Sequence, residues 1–280
     1  MTRLIRAAAV VTGICTIAVF FMMLILGWPL FSHGHLFALL VGGWNPGSDQ
    51  FGILPMMVGS TAIAGGALLV GTPLSLGVAF VTAVFARGRM RRVLLSCVRL
   101  MSGVPTVVYG FVALIYLVPF IRSQFHSGSG FSILTASLVL GLLISPTMIV
   151  LFVNALDGVD PRARRAAAAL GATPVQRLLY LQLSEALPGL LSGVVMGLGR
   201  AMGDTFISLM LAGNSINMPD GVLESARTLT AHIALVMAVD FHSLEFQSIY
   251  LCGFVLYLFT FMLVLILRVV DHRFRRGRVQ

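Results

Sequence analysis

Arg200 and Asp204 stand one helical turn apart inside an apolar run, in the stretch Gly-Leu-Gly-Arg-Ala-Met-Gly-Asp-Thr at 197–205. A charge at the centre of a bilayer costs about 2.5–3.5 kcal/mol on insertion scales, so a retained one usually marks a substrate or ion path. The chemistry this pair suits is the handling of an oxyanion. A guanidinium presents a planar fork that donates two parallel hydrogen bonds to a phosphate-like group. On one continuous helix, residues i and i+4 share a face. Asp204 is then placed to take Arg200 back when the anion leaves, which keeps binding weak enough for release. Thr205 and Ser208 follow as hydroxyls that either donate to the anion or bond back to their own helix. The competing reading is an interhelical salt bridge that fixes packing, although desolvation makes such bridges unreliable stabilisers.

The elements that position these residues must lie in lipid. Hydrophobic residues make up 58% of the 280-residue chain and charged residues only 10%, against about 25% charged in soluble domains. A bilayer crossing needs about 20 apolar residues, and the runs near 7–31, 54–85, 100–121, 131–155, 187–211 and 247–270 qualify. The second is overlong, and Pro55 with Gly65-Gly66 suggests a broken or interfacial start. The chain reads as one polytopic all-α membrane protein with six transmembrane helices. The first run is too long for a signal-peptide core and no A-x-A site follows it, so it is expected to be retained as a span.

The basic residues orient the spans. With the N-terminus inside, the inner segments hold Arg3 and Arg6, then Arg87, Arg89, Arg91, Arg92 and Arg99, then Arg162, Arg164, Arg165 and Arg177, then Arg268, Arg273, Arg275, Arg276 and Arg278. The outer segments hold only Arg122 and Arg227, and Arg200 completes the 19 basic residues. This asymmetry points to both termini in the cytoplasm. The net charge of +9 therefore reads as span flanks facing anionic lipid, not as a nucleic-acid surface.

Two connections exceed a tight turn. In the inner one, about 156–186, Asp160 is an N-cap with Pro161 at the first helical position and Gly171 is a stop. Thr173-Pro174 repeats the start for a second short helix that ends before Leu187-Pro188. The outer one, about 214–246, contains an apolar stretch at 225–238 suited to an interfacial or re-entrant helix. His232 there reads as a hydrogen-bonded structural group. Asp157 reads, like Asp160, as a helix cap. Gly193, Gly197, Gly199 and Gly203 form small-xxx-small rows for close helix packing, which would bring Arg200 near a subunit interface. His33 and His35 are spaced for a metal pair but have no further ligand nearby, and Cys15, Cys97 and Cys252 lack any CxxC or CxxH spacing, so no metal or cofactor is assigned and the cysteines read as packing residues.

The inner loop is similar to the coupling loop of ABC importer permeases, E-A-A-x3-G-x9-I-x-L-P. Ala166, Ala167 and Gly171 match, Leu181 and Leu183 take the aliphatic places, and Arg165 and Ser184 replace the glutamate and the proline. Ser102-Gly-Val-Pro-Thr-Val-Val-Tyr-Gly-Phe111 looks like the third-span signature of phosphate-specific (Pst-type) permeases. The 197–205 stretch resembles their G-R-A-x-G-E-T segment with Asp204 in place of glutamate. Arg227-Thr-Leu-Thr-Ala-His-Ile-Ala234 resembles the C-type subunit. The resemblance covers about 50–270. It implies a type I importer fold, with an N-terminal helix and loop over 1–50, a permease domain over 51–272 and a basic tail over 273–280. It implies phosphate uptake across a bacterial inner membrane and a substrate path at Arg200, Asp204 and Thr205. Coupling to the ATPase would fall to Arg165, Ala166, Ala167, Gly171, Ala172, Thr173 and Pro174, with Arg162, Arg164 and Arg165 facing the docked subunit or lipid. The implied partners are an A-type permease subunit, two cytoplasmic ATP-binding subunits and an extracytoplasmic phosphate-binding protein.

Other functions fit less well. An intramembrane aspartyl protease needs two aspartates at membrane depth and only Asp204 qualifies; no GxSxG motif or serine–histidine pair is present. A secondary transporter would show an inverted repeat, and the halves show none. Molybdate, tungstate or sulfate could replace phosphate within the same architecture. The chain has no lysine, so it holds no Walker A loop. The purified chain is therefore expected to hydrolyse no ATP alone, and pull-down from native membranes should recover a lysine-bearing ATPase; its absence would favour the secondary-transporter reading.

Overall fold

The computed structural model describes residues 2–32, 40–48, 50–126, 128–237 and 243–276. His33, His35 and Asp240 lie outside the described residues, as does the end of the basic tail. Helix α1 spans Thr2–Ser32, and a two-stranded antiparallel ribbon pairs Trp44–Asn45 (β1) with Gln50–Phe51 (β2). Then come α2 (Leu54–Val84), α3 (Gly88–Gly103), α4 (Thr106–Phe125), α5 (Ile133–Asp157) and α6 (Pro161–Ala169). Helix α7 runs Pro174–Gly203, followed by α8 (Phe206–Leu211), α9 (Leu229–Val236) and α10 (Leu244–Arg276). Among the described residues, 6 helices are long and apolar enough to cross a membrane: α1, α2, α4, α5, α7 and α10. In lipid only hydrogen-bond-saturated helices can do so without a closed barrel.

Helix α5 is the centre of the packing. Ala136, Leu140, Ile144, Met148, Phe152 and Leu156 repeat at helical spacing and are all 0% exposed. Lipid supplies no hydrophobic drive between spans, so contact depends on close fit and on hydrogen bonds between helices. Helix α2 meets α5 through small residues. A Cβ on Gly71 would lie 2.9 Å from Gly141 O, and one on Gly141 would lie 2.9 Å from Ala67 O. Ser137 Oγ donates to Ile63 O at 3.2 Å and Ser75 Oγ to Ser145 O at 3.2 Å. On the other side, a Cβ on Gly193 would fall 2.6 Å from Phe152 and one on Gly197 2.7 Å from Met148 Sδ. These two glycines pack inside the chain, against α5. Gly203 faces open space. Helices α1 and α10 pair along one another, with Phe20 4.9 Å from the ring of Tyr257. Of the cysteines only Cys252 is buried; Cys15 and Cys97 are exposed.

The expected spans need three corrections. Helix α2 is continuous through Gly65-Gly66; Gly66 fits against Ser137 of α5, a contact that offsets its low helix propensity, while Gly65 faces open space. The third run is split in two: Val104 is extended (φ −73°, ψ 127°), as a residue preceding proline tends to be, and Pro105 opens α4. Tyr109 Oη donates to Met101 O at 3.1 Å across that break. The fifth span does not begin near Leu187. It starts at Pro174 and passes through a π-helical turn at Arg177–Gln182 without interruption. Asp157 is not a cap but pairs with Arg91 of α3. Gly141→Val is expected to lower stability by about 1–3 kcal/mol through overpacking, whereas Gly77→Ala, with nothing within 4 Å of its Cβ, should leave it unchanged or raised. Thermal unfolding in detergent compares the two.

Candidate functional site

Helix α7 ends at Gly203, and this changes the geometry around Arg200 and Asp204. Asp204 is extended (φ −76°, ψ 124°), and its Oδ1 accepts a hydrogen bond from Ile207 N at 2.8 Å, capping α8. The expected helical i, i+4 pair therefore does not exist: no ion pair joins Arg200 to Asp204. The physical reason is local. Aspartate is among the best N-cap residues because its side chain satisfies a free amide three positions on, and that competes with continuing the helix. The exposed Arg200 donates instead from Nη1 to Thr147 Oγ1 of α5. Thr147 escaped the sequence reading, although a hydroxyl next to Pro146 in an apolar run was a usable signal.

The break is well satisfied. Asp204 O accepts from Thr230 Oγ1 at 3.0 Å and from Ser208 Oγ at 3.4 Å, and Leu209 N donates to Thr205 O at 2.8 Å. Ser208 thus bonds back to its own segment, while the Thr205 hydroxyl has no partner among the described residues. Thr230 belongs to α9, whose start is pinned by Thr228 as N-cap and by Leu229 N donating to Ser60 Oγ at 2.9 Å. Next to it, Arg227 Nε donates to Asn214 O at 3.1 Å. Sequence reasoning put a short helix here but could not see that it closes over the break.

His232, on α9, is 0% exposed. Its Nε2 meets Ser248 Oγ at 3.2 Å and its ring packs edge-on against Trp44 at 4.4 Å. It is a hydrogen-bonded packing group, as expected. Burial pushes its pKa down to about 4, and the positive charge of Arg227 adds to the effect.

The second expected site lies at the arginine-rich end. Asp160 Oδ1 accepts from Arg162 N at 2.8 Å with Pro161 at the first turn of α6. Ala172 N donates to Ala167 O at 3.1 Å and Gly171 N to Ala168 O at 3.0 Å. Together with Gly171 at φ +83°, this is a Schellman stop, which favours glycine because it needs a left-handed residue. Leu170 N donates to Ala166 O at 3.1 Å. Thr173 and Gln176 form a capping box with Pro174 between them. The turn thus stands as read. The second of its two short helices does not, because it is the start of α7. Arg165 folds back, with Nε donating to Pro161 O at 3.3 Å. Leu170 (89% exposed) and Tyr180 (80%) stand open on the same end.

Five candidate spans packed with a central sixth, an exposed helix–glycine–helix turn and an arginine near the end of a candidate span define a multi-pass transport permease of the type I ABC importer fold. The profile described as "binding-protein-dependent transport system inner membrane component" matches residues 71–276, and the chain belongs to that family. It is 33% identical over 233 residues to the probable ABC transporter permease protein YqgH of Bacillus subtilis (strain 168), covering 82% of this chain and 75% of that one. It is 25% identical over 282 residues to the phosphate transport system permease protein PstC of Mesorhizobium japonicum, covering 94% and 86%. Among solved structures, a bacterial alginate ABC transporter in complex with an alginate pentasaccharide-bound periplasmic protein superposes with a TM-score of 0.64 at 15% identity, covering 98% of this chain and 94% of that one.

The histidine carries a pH prediction. An unfolded His232 titrates near 6.5 and the folded one near 4, so below 6.5 the unfolded state binds the extra proton. Stability should fall as pH drops from about 6.5 to about 4 and level off below, by about 3 kcal/mol in all. Unfolding midpoints against pH, wild type minus His232→Gln, isolate this slope.

Proposed function

We propose that the chain is the C-type permease subunit of an ATP-driven importer of inorganic phosphate, with both termini in the cytoplasm. It pairs with an A-type permease, two ATP-binding subunits dock on its cytoplasmic face, and a phosphate-binding protein delivers substrate from outside. The observation that carries this reading is Arg200: an exposed guanidinium at membrane depth, held by a neutral hydroxyl and not by a carboxylate. A neutral partner leaves the positive charge free for a passing oxyanion. Asp204, whose Oδ1 caps α8, keeps a carboxylate close enough to attract the guanidinium electrostatically without forming an ion pair with it. Thr205 offers a further hydroxyl.

The coupling follows from the continuity of α7. Its 30 residues reach about 45 Å at 1.5 Å per residue. ATP-driven closure of the partner subunits would press on α6 and on the turn at Arg165, Ala166, Ala167, Gly171, Ala172, Thr173 and Pro174. The push would travel along one rigid element to Arg200, with the π turn at Arg177–Gln182 as its one irregularity. The site would then face each side in turn. The phosphate relatives and the arginine distribution support this orientation and cargo.

Arg200→Lys keeps the charge and loses the fork. Phosphate uptake into proteoliposomes containing all partner subunits should fall about tenfold or more, the ratio expected for one lost charge-assisted hydrogen bond. Wild-type uptake at equal membrane abundance would sink the proposal. Competition with sulfate, molybdate and tungstate in the same vesicles identifies the anion.

A further inference from the structure

A cavity of about 190 Å³ opens at the arginine-rich end, where the end of α2, helix α6 and the start of α7 converge. Its polar wall is made by Arg87, Arg164, Arg177 and Gln182. No carboxylate lines it, and none of the three guanidinium groups has a hydrogen bond or ion pair among the described residues. Arg177 Nε is buried without a partner. Gln182 is only 7% exposed and lines the cavity. Three like charges around one void repel each other, and a buried donor without an acceptor costs about 1–3 kcal/mol. An arrangement of this kind gains from a counter-charge that accepts several hydrogen bonds at once.

We propose that this cavity binds a phosphate-type oxyanion. Guanidinium forks match phosphate oxygens bidentately, and the Gln182 amide adds a neutral donor. The space suits a tetrahedral group with some of its water, since one water takes about 30 Å³. The anion has two sources of the same chemistry: free inorganic phosphate, or the phosphodiester of an anionic lipid at the membrane face. Either would tie Arg164 of α6 to Arg87 beyond α2 and to Arg177 of the π turn. Helix α6 has no buried residue of its own, so such a tie would stiffen the segment that receives the ATPase. If free phosphate is the ligand, the site would sense the transported product; that regulatory role rests on the cytoplasmic orientation proposed above, whereas the binding does not.

The test is an arginine footprint on the full chain in nanodiscs. Phenylglyoxal modification is mapped by mass spectrometry in phosphatidylcholine discs with and without inorganic phosphate, and in discs that also contain phosphatidylglycerol. Arg87, Arg164 and Arg177 should be protected together in at least one arm while Arg89 and Arg162 keep reacting. Protection by phosphate alone identifies a free anion; protection by phosphatidylglycerol alone identifies the headgroup. The same pattern should persist in Arg200→Gln, so the outcome does not depend on the transport path. Arg164→Gln should raise the phosphate or lipid needed to half-protect Arg87 and Arg177 about tenfold, the ratio expected for one charge-assisted contact. Unchanged reactivity of all three in both arms overturns the proposal, as does equal protection by chloride at matched ionic strength. Protection that appears only when an ATPase subunit is added also overturns it and makes the cavity a docking surface.

Discussion

Hydrocarbon offers a polypeptide no hydrogen-bond partners, and the rest of this structure follows from that limit. A helix in such a solvent can end only where other groups take over its free amides and carbonyls. The end of α7 meets the condition with four residues. Asp204 caps the next turn through Ile207 N, Thr230 and Ser208 serve the Asp204 carbonyl, and Leu209 serves that of Thr205. Because these groups come from the chain on both sides of the break, α9 must fold down over it. The connection between α8 and α10 is therefore part of the candidate site and not only a link.

The same solvent removes the usual reason for helices to associate. Helices α2, α5 and α7 hold together by shape and by buried hydroxyls reaching carbonyls on a neighbouring helix. Glycines at 71, 141, 193 and 197 let the backbones approach to distances where a Cβ would collide. Phe152 and Met148 of α5 fill the space left by Gly193 and Gly197 of α7, while Gly71 and Gly141 let α2 and α5 meet backbone to backbone. This rigid centre holds Thr147 where Arg200 can reach it. In the coupling proposed above, a close-packed core would pass on a displacement applied at Pro174, whereas a soft one would absorb it before it reached Gly203.

Charge completes the design. Most arginines fall in segments that flank the candidate spans, and several have specific partners or specific needs. Arg91 meets Asp157, a half-exposed pair worth little in stability but able to seat the amphipathic α3 against α5. Arg165 bonds within its own turn. Arg200 is held without being neutralised, and the arginines at the α6 cavity are not neutralised by any described residue. Unneutralised positive charge at two depths of one chain is a property suited to moving and sensing anions.

The sequence alone determined what depends on neighbours along the chain. Span number follows from runs of about 20 apolar residues. The turn at 160–174 follows from cap and stop chemistry that acts over three or four residues, with Asp160, Gly171 and Thr173 placed as read. A short helix in the apolar stretch that became α9 was legible for the same reason. Tertiary structure decided whatever required a choice between a local partner and a distant one. Asp157 chose Arg91 over capping, and Arg200 found Thr147 on another helix; the choice of Asp204 for the amide of Ile207 is local, between two partners within four residues of it. The glycine rows on α7 were visible as small residues, but only packing showed that Gly193 and Gly197 face α5 of the same chain while Gly199 meets Leu263 of α10 and Gly203 meets nothing. Periodicity reports which face of a helix is small or apolar. It carries no information about which helix, or which hydroxyl, lies opposite, because that depends on distances between residues far apart in the chain.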